Sequence, residues 1–170
     1  MGHARNIYKT PETRRVIRTR DVHQTQTEIG VVGYSERLLS IVANFENAGV
    51  PEGYNAISSV GKSKRGVVSV RLFAVADYER GRFLRVGFRA HGCLAMLASA
   101  SVAATLIEGK TFTEALRIGA EDIIRAVDGV PADKSFTVHV AAEAIRALVG
   151  DCLIRAEVGP DELSTLVPCD

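Results

Sequence analysis

Tryptophan is absent from this 170-residue chain, and aromatic residues make up only 6% of it. Pockets lined with aromatics and platforms for stacking bases are therefore poorly supplied. Cysteine is nearly as scarce, with Cys93, Cys152 and Cys169 far apart and no C-x-x-C pair. That excludes a disulfide framework and predicts a reducing, cytoplasmic setting. No charge sign dominates, because the formal net charge is only +1. No global electrostatic argument therefore favours nucleic acid or an acidic partner. No apolar run reaches the roughly 18–20 residues that a membrane-spanning helix needs, and no leader peptide is recognisable. The hydrophobic content of 46% suits one well-buried domain.

Three zones are expected: a basic, polar arm over 1–30, a folded domain over 31–157 and an irregular tail over 158–170. In the arm, Arg5, Lys9, Arg14, Arg15, Arg18 and Arg20 outnumber Glu12, Asp21 and Glu28. It reads as a solvated arm or one that orders against a partner. In the domain, Ser35 is placed to cap a helix whose apolar face is Leu38, Leu39, Ile41, Val42 and Phe45. The Asn/Gly/Pro cluster over 47–51 ends it. Strands are predicted over 54–60, 67–77 and 82–92, the last two joined as a hairpin by a short Gly-bearing turn. Alternation in the third strand puts Phe83, Arg85, Gly87 and Arg89 on one side and Leu84, Val86 and Phe88 on the other.

Helices follow. The Ala- and Leu-rich segment 94–107 is closed by Gly109, and Thr111 with Glu114 forms a capping box opening a helix over 112–118. Another helix spans 120–127, a break follows over 128–131, and Thr137 is expected to cap the last helix, with Val140, Ala144, Ala147 and Leu148 inward. The fold class is therefore α+β: a three-stranded antiparallel sheet with helices mainly on one face. The basic loop Lys62, Ser63, Lys64, Arg65, Gly66 lacks phosphate-loop spacing and precedes a strand, so it reads as solvated. No Ser/His/Asp or paired-carboxylate arrangement stands out, and the chain is not expected to be an enzyme.

Four stretches carry a family resemblance over about 34–155: YSERLLSIVANFENAGV from Tyr34, HGCLAMLASASVAATLIEGKTFTEAL from His91, VPADK from Val130 and AAEAIRA from Ala141. In the first, Tyr34, Ser35, Glu36, Asn44, Asn47 and Gly49 match, and Phe45 replaces a proline. In the second, the spacing from Cys93 to Gly109, Lys110, Thr111 and Glu114 is kept without a gap. Together they resemble the iron–sulfur cluster assembly scaffolds of the IscU/NifU N-terminal type. The resemblance implies a nascent [2Fe–2S] cluster, or a zinc ion, held on three cysteines and an aspartate. It also implies a chaperone-recognition loop here formed by Val130, Pro131 and Lys134.

By the same resemblance, Cys93 retains the second ligand position. Arg65 stands where the first cysteine is expected, Val67 at the aspartate and Thr137 at the third cysteine. Thiolates must converge to hold such soft cations, and a permanent cation at Arg65 repels them. Other readings of Cys93 stay open. His91 and His139 would complete a His/Cys/His set suited to zinc, with His91 two residues away on the same strand face. Two chains could share a cluster through Cys93. The thiol at a helix N-terminus could also act as nucleophile or persulfide acceptor, or be small packing. The cofactor is left open between cluster, zinc and none.

The expected function is that of a diverged, non-catalytic scaffold with protein partners from the iron–sulfur machinery. An accessory subunit of an enzyme complex, in a homo- or hetero-oligomer and binding no metal, is the alternative.

Overall fold

The computed structural model describes residues 33–62, 66 and 68–158. The expected arm over 1–30, nearly all of the tail, Arg65, Val67 and Cys169 lie outside the described residues. The elements are α1 (Glu36–Ala43), β1 (Ala56–Lys62), β2 (Val68–Asp77), β3 (Arg82–Ala90), α2 (Leu94–Ile107), α3 (Phe112–Leu116), α4 (Ala120–Val127), a 3-10 turn (Ala132–Lys134) and α5 (Phe136–Val158). The strands form one antiparallel sheet in the order β1-β2-β3. Fold class and element order are those predicted from the sequence.

One face of the sheet is the core. Val70, Leu72 and Ala74 of β2 are fully buried there, beside Val86 and Phe88 of β3. Two helices lie against them. The small side chains of α2, among them Ala95, Ala98, Ser99 and Ala103, are buried on nearly every side, so the helix backbone sits close to the sheet, as dispersion packing favours. In α5 the buried residues are Val138, Ala141, Ala142, Ala144, Ile145, Leu148, Val149 and Cys152. The inward face is thus broader than the sequence suggested, and Ala147, predicted inward, is exposed.

A bulge corrects the predicted alternation of β3. The pairing Val75↔Arg85 is followed by Ala76↔Phe83, so Leu84 is an extra residue opposite the Val75/Ala76 step. The extra residue reverses the side-chain phase. Phe83 is fully buried with Val86 and Phe88, and Leu84 is half exposed on the outer side with Arg85. Asn55 satisfies the backbone there: its side-chain amide donates to the Ala76 carbonyl (2.9 Å) and its carbonyl oxygen accepts from the Ala76 amide (2.7 Å). These bonds settle β1 two residues later than predicted.

Both sheet edges are capped along part of their length. On β3 the amides of Phe83, Val86 and Phe88 donate to the Lys110 carbonyl, a Glu108 carboxylate oxygen and the Asn47 carbonyl. On β1 the Ile57 amide donates to Asp151 Oδ2 (3.0 Å), which also receives Arg155 Nε (2.7 Å). Such caps limit strand addition from another chain.

Candidate functional site

Cys93 sits at the N-cap of α2, where β3 gives way to the helix. The junction turns on Gly92, at φ 149°, a region that L side chains rarely adopt. A Cβ at Gly92 would also stand 3.1 Å from Met96 Cβ. The Cys93 thiol is half-buried, and its carbonyl accepts from Leu97 to begin the helix (3.1 Å).

Tyr34 reaches the thiol from the other end of the domain's sequence. Its phenol lies near Cys93, and burial first, then the neighbouring thiol, raise its pKa above the ordinary value. The following residue holds it in place. Ser35 Oγ accepts the Leu38 amide as the N-cap of α1 (3.0 Å) and donates to the Val127 carbonyl at the end of α4 (2.5 Å). Tyr34 is therefore a site residue that spacing alone did not single out. The Tyr-Ser-Glu triplet was the available signal.

The 130–134 loop approaches from a third direction. Lys134 lies near enough to Cys93 and Tyr34 for both to favour its charged form, after the larger effect of its contact with Asp133 (2.9 Å). The Lys134 carbonyl in turn accepts the Thr137 hydroxyl (2.8 Å). Thr137 is fully buried in the first turn of α5, with its Oγ1 3.5 Å from Ser99 Oγ of α2. This corrects its expected role as helix cap: the helix begins two residues earlier than that, at Phe136, and the hydroxyl donates back instead of accepting.

The three residues of the expected zinc set are not gathered. β3 ends at Ala90, so His91 is beyond the strand and the same-face relation to Cys93 does not hold. His91 is exposed, its amide donating to the Ser69 carbonyl (2.8 Å), and His139 is exposed on α5. Among the described residues no three His, Cys, Asp or Glu side chains converge as a metal site. Phe136, next to Thr137, is half exposed.

The Cys93 thiol thus stands at a helix N-terminus with the Tyr34 phenol and the Lys134 ammonium within electrostatic reach. The junction lies at the end of a three-stranded antiparallel sheet in an α+β domain. The model of the NifU-like N-terminal domain matches residues 33–157. The iron–sulfur cluster assembly scaffold protein IscU 1 of Archaeoglobus fulgidus is 30% identical over 118 residues, covering 69% of this chain and 75% of that protein. The nitrogen fixation protein NifU of Azotobacter chroococcum is 32% identical over 118 residues, and the match spans only 38% of its length. Among solved structures, a scaffold protein described for the SUF system of Fervidobacterium islandicum superposes with a TM-score of 0.55 at 21% identity. It covers 68% of this chain and 96% of the other, a likeness of fold alone. The chain belongs to the family of NifU-like N-terminal domains.

The described residues do not fit an iron–sulfur cluster or a zinc ion held by a single chain. Among the described residues Cys93 is the one soft donor at the site. Thr137 points its hydroxyl into the protein, where the Lys134 carbonyl holds it. A neutral hydroxyl so committed cannot replace a thiolate.

Cys152, by contrast, is structural. It is fully buried on α5, where burial and then the Asp151 carboxylate push its thiol up to about 12. Tyr78 beside it is also pushed up to about 12, by burial and then Cys152. Both folded values exceed the unfolded ones of 9.0 and 10.0. The contribution to stability is therefore complete below the unfolded values and is lost as pH rises toward 12. Thermal melts between about pH 8 and pH 11 should show Tm falling steadily in the alkaline half, and Cys152→Ala should flatten that fall. An equally steep fall in the variant would refute the assignment.

Proposed function

We propose that this protein is a diverged, non-catalytic member of the iron–sulfur scaffold family that has lost two of the usual three cysteine ligands and works through protein partners. The observation that carries this reading is the state of the third ligand position. Thr137 is buried and its hydroxyl is spent on the Lys134 carbonyl, while Arg65 and Val67 replace the other two implied donors. A cation of iron or zinc would be cargo for such a protein, and a lone thiol cannot outcompete water for it.

The partner side of the site is supported by the 130–134 loop. Val130, Pro131 and Lys134 lie partly exposed on the loop whose lysine approaches Cys93. A partner engaging this loop would cover the thiol as well. Protein partners from the iron–sulfur machinery are the first expectation. An accessory subunit of an enzyme complex, binding no metal, is the second reading, favoured by the internal use of Thr137.

Anaerobic reconstitution with ferrous iron and sulfide tests the proposal. Iron, zinc and visible absorbance are read across a sizing column for the parent and for Cys93→Ser. The monomer is expected to carry neither metal nor colour in either form. A cluster at one per chain in the monomer, abolished by Cys93→Ser, would overturn the loss of the single-chain site. A cluster at one per two chains in a dimer would instead assign the altered metal binding to a shared Cys93.

A further inference from the structure

The outer face of the sheet carries three arginines, Arg71 and Arg89 to one side and Arg85 to the other of the 49–54 segment that lies against Gly87 and Phe73. Arg71 of β2 is directly opposite Arg89 of β3, and Arg85 lies on the same face of β3, opposite Val75. By strand geometry Arg71 and Arg89 have backbones about 5 Å apart, and Arg85 lies about 13 Å along the strand from Arg89. None of the three forms an ion pair among the described residues. Like charges directly opposite on a sheet destabilise it, so folding stability does not account for this arrangement.

The guanidinium groups are held in place by contacts that leave their charge unneutralised. Arg71 Nε donates to Ser59 Oγ (3.1 Å), Arg85 Nη2 donates to the Glu52 carbonyl (3.0 Å), and the Arg89 guanidinium carbon is 5.9 Å from the Phe73 ring centroid. Phe73, on this same face, is itself covered by Tyr54 edge-on (centroids 5.3 Å apart). Half-exposed Tyr54 and Leu84 complete an apolar rim beside the charges.

We infer that this outer face docks a short acidic segment of a partner protein, with carboxylates on Arg71, Arg85 and Arg89 and apolar side chains on Tyr54 and Leu84. Oriented guanidinium forks match carboxylates in two-pronged fashion. A second copy of the same face is excluded by charge, since a two-fold contact would set arginines against arginines. A long polyanion fits less well than a short segment. Glu46 and Glu108 line the same hollow as Arg85, and the chain's net charge of +1 supplies no long-range attraction. The site is separate from the Cys93 junction and does not depend on the function proposed for it.

The test uses the full chain and a fluorescein-labelled peptide of alternating glutamate and leucine, followed by anisotropy at low and high salt. The parent should bind, and affinity should fall as salt screens the charges. The glutamine counterpart should not bind. Arg71→Glu/Arg89→Glu should weaken the glutamate peptide by about tenfold or more. Arg89→Glu alone replaces a like-charge pair with an opposite one, so its Tm should match or exceed the parent's by about 2 °C while binding falls. Should either reversal lower Tm, the Arg71→Gln/Arg89→Gln variant carries the same comparison. Equal affinity in parent and variants would overturn the inference. So would no binding by the parent, or displacement of the peptide at lower concentration by single-stranded RNA or by phosphatidylserine vesicles.

Discussion

Gly87→Ala should cost the domain about 2–4 kcal/mol, the largest penalty expected from adding a single methyl group to this protein. A Cβ at Gly87 would stand 2.5 Å from the Gly49 carbonyl oxygen and 2.8 Å from Pro51 Cδ. Neither neighbour is the end of a flexible side chain. The backbone from Asn47 to Gly49 is pinned to the edge of β3, with Gly49 donating to the Phe88 carbonyl (2.9 Å) and Phe88 donating to the Asn47 carbonyl (3.1 Å). Relieving the clash means moving this segment and weakening both bonds, each worth about 0.5–1.5 kcal/mol. Phe45, edge-on to Phe88 with centroids 5.4 Å apart, would lose its seat as well. Against a total stability of about 5–15 kcal/mol, Gly87→Val should leave much of the population unfolded at physiological temperature. Urea unfolding followed by circular dichroism reads both variants. A Gly87→Ala midpoint matching the parent's would show that the segment over 47–51 is free to move.

The second large effect separates two neighbouring residues. Phe83→Ala should cost about 3–5 kcal/mol, and Leu84→Ala about 0.5 kcal/mol or less. Phe83 is fully buried and packs on Phe112, with ring centroids 4.9 Å apart, whereas Leu84 is half exposed. Simple alternation from Arg82 to Ala90 predicts the reverse order, because it places Phe83 with the outward arginines. The comparison is therefore a direct assay of the bulge at Val75/Ala76. Equal costs, or a greater cost at Leu84, would mean that the strand pairs without the extra residue. The same bulge decides the company of Arg85, which shares the outer face with Leu84 as well as with Arg71 and Arg89.

Much of the fold is legible in local chemistry. Ser35 caps α1 as its position predicted, and Thr111 and Glu114 form the expected reciprocal box (2.8 Å and 3.2 Å). Both motifs act over three residues, and that short range is why they can be recognised without the rest of the chain. The segment 94–107 announced itself through composition, since small residues in a helical run require a close-packed neighbour. The position of Cys93 at its mouth followed from the spacing of glycine, cysteine and helix.

The candidate site was legible only in part. Its motifs named Cys93 and the 130–134 loop, and these were enough to suggest a family. They could not say that Tyr34, Cys93 and Lys134 come within electrostatic reach of one another, because about 40 to 60 residues separate neighbouring members and only the packed helices bring them near. Nor could they show that β3 stops one residue short of His91, which breaks the strand relation to Cys93. The end of a strand is set by pairing with its partner: Ala90, opposite Val70, is the last paired residue of β3, and His91 keeps only its amide bond to the Ser69 carbonyl.

The amino-acid order alone settled the identity and succession of the elements, the caps of α1 and α3, and the scarcity of soft donors. Those depend on interactions within a turn or two of the chain, or on composition itself. Tertiary packing decided the phase of β3, the inward hydroxyl of Thr137 and the gathering of three arginines on the outer face. Each depends on register between strands or on contact between distant elements, where a shift of one residue moves a side chain from core to solvent.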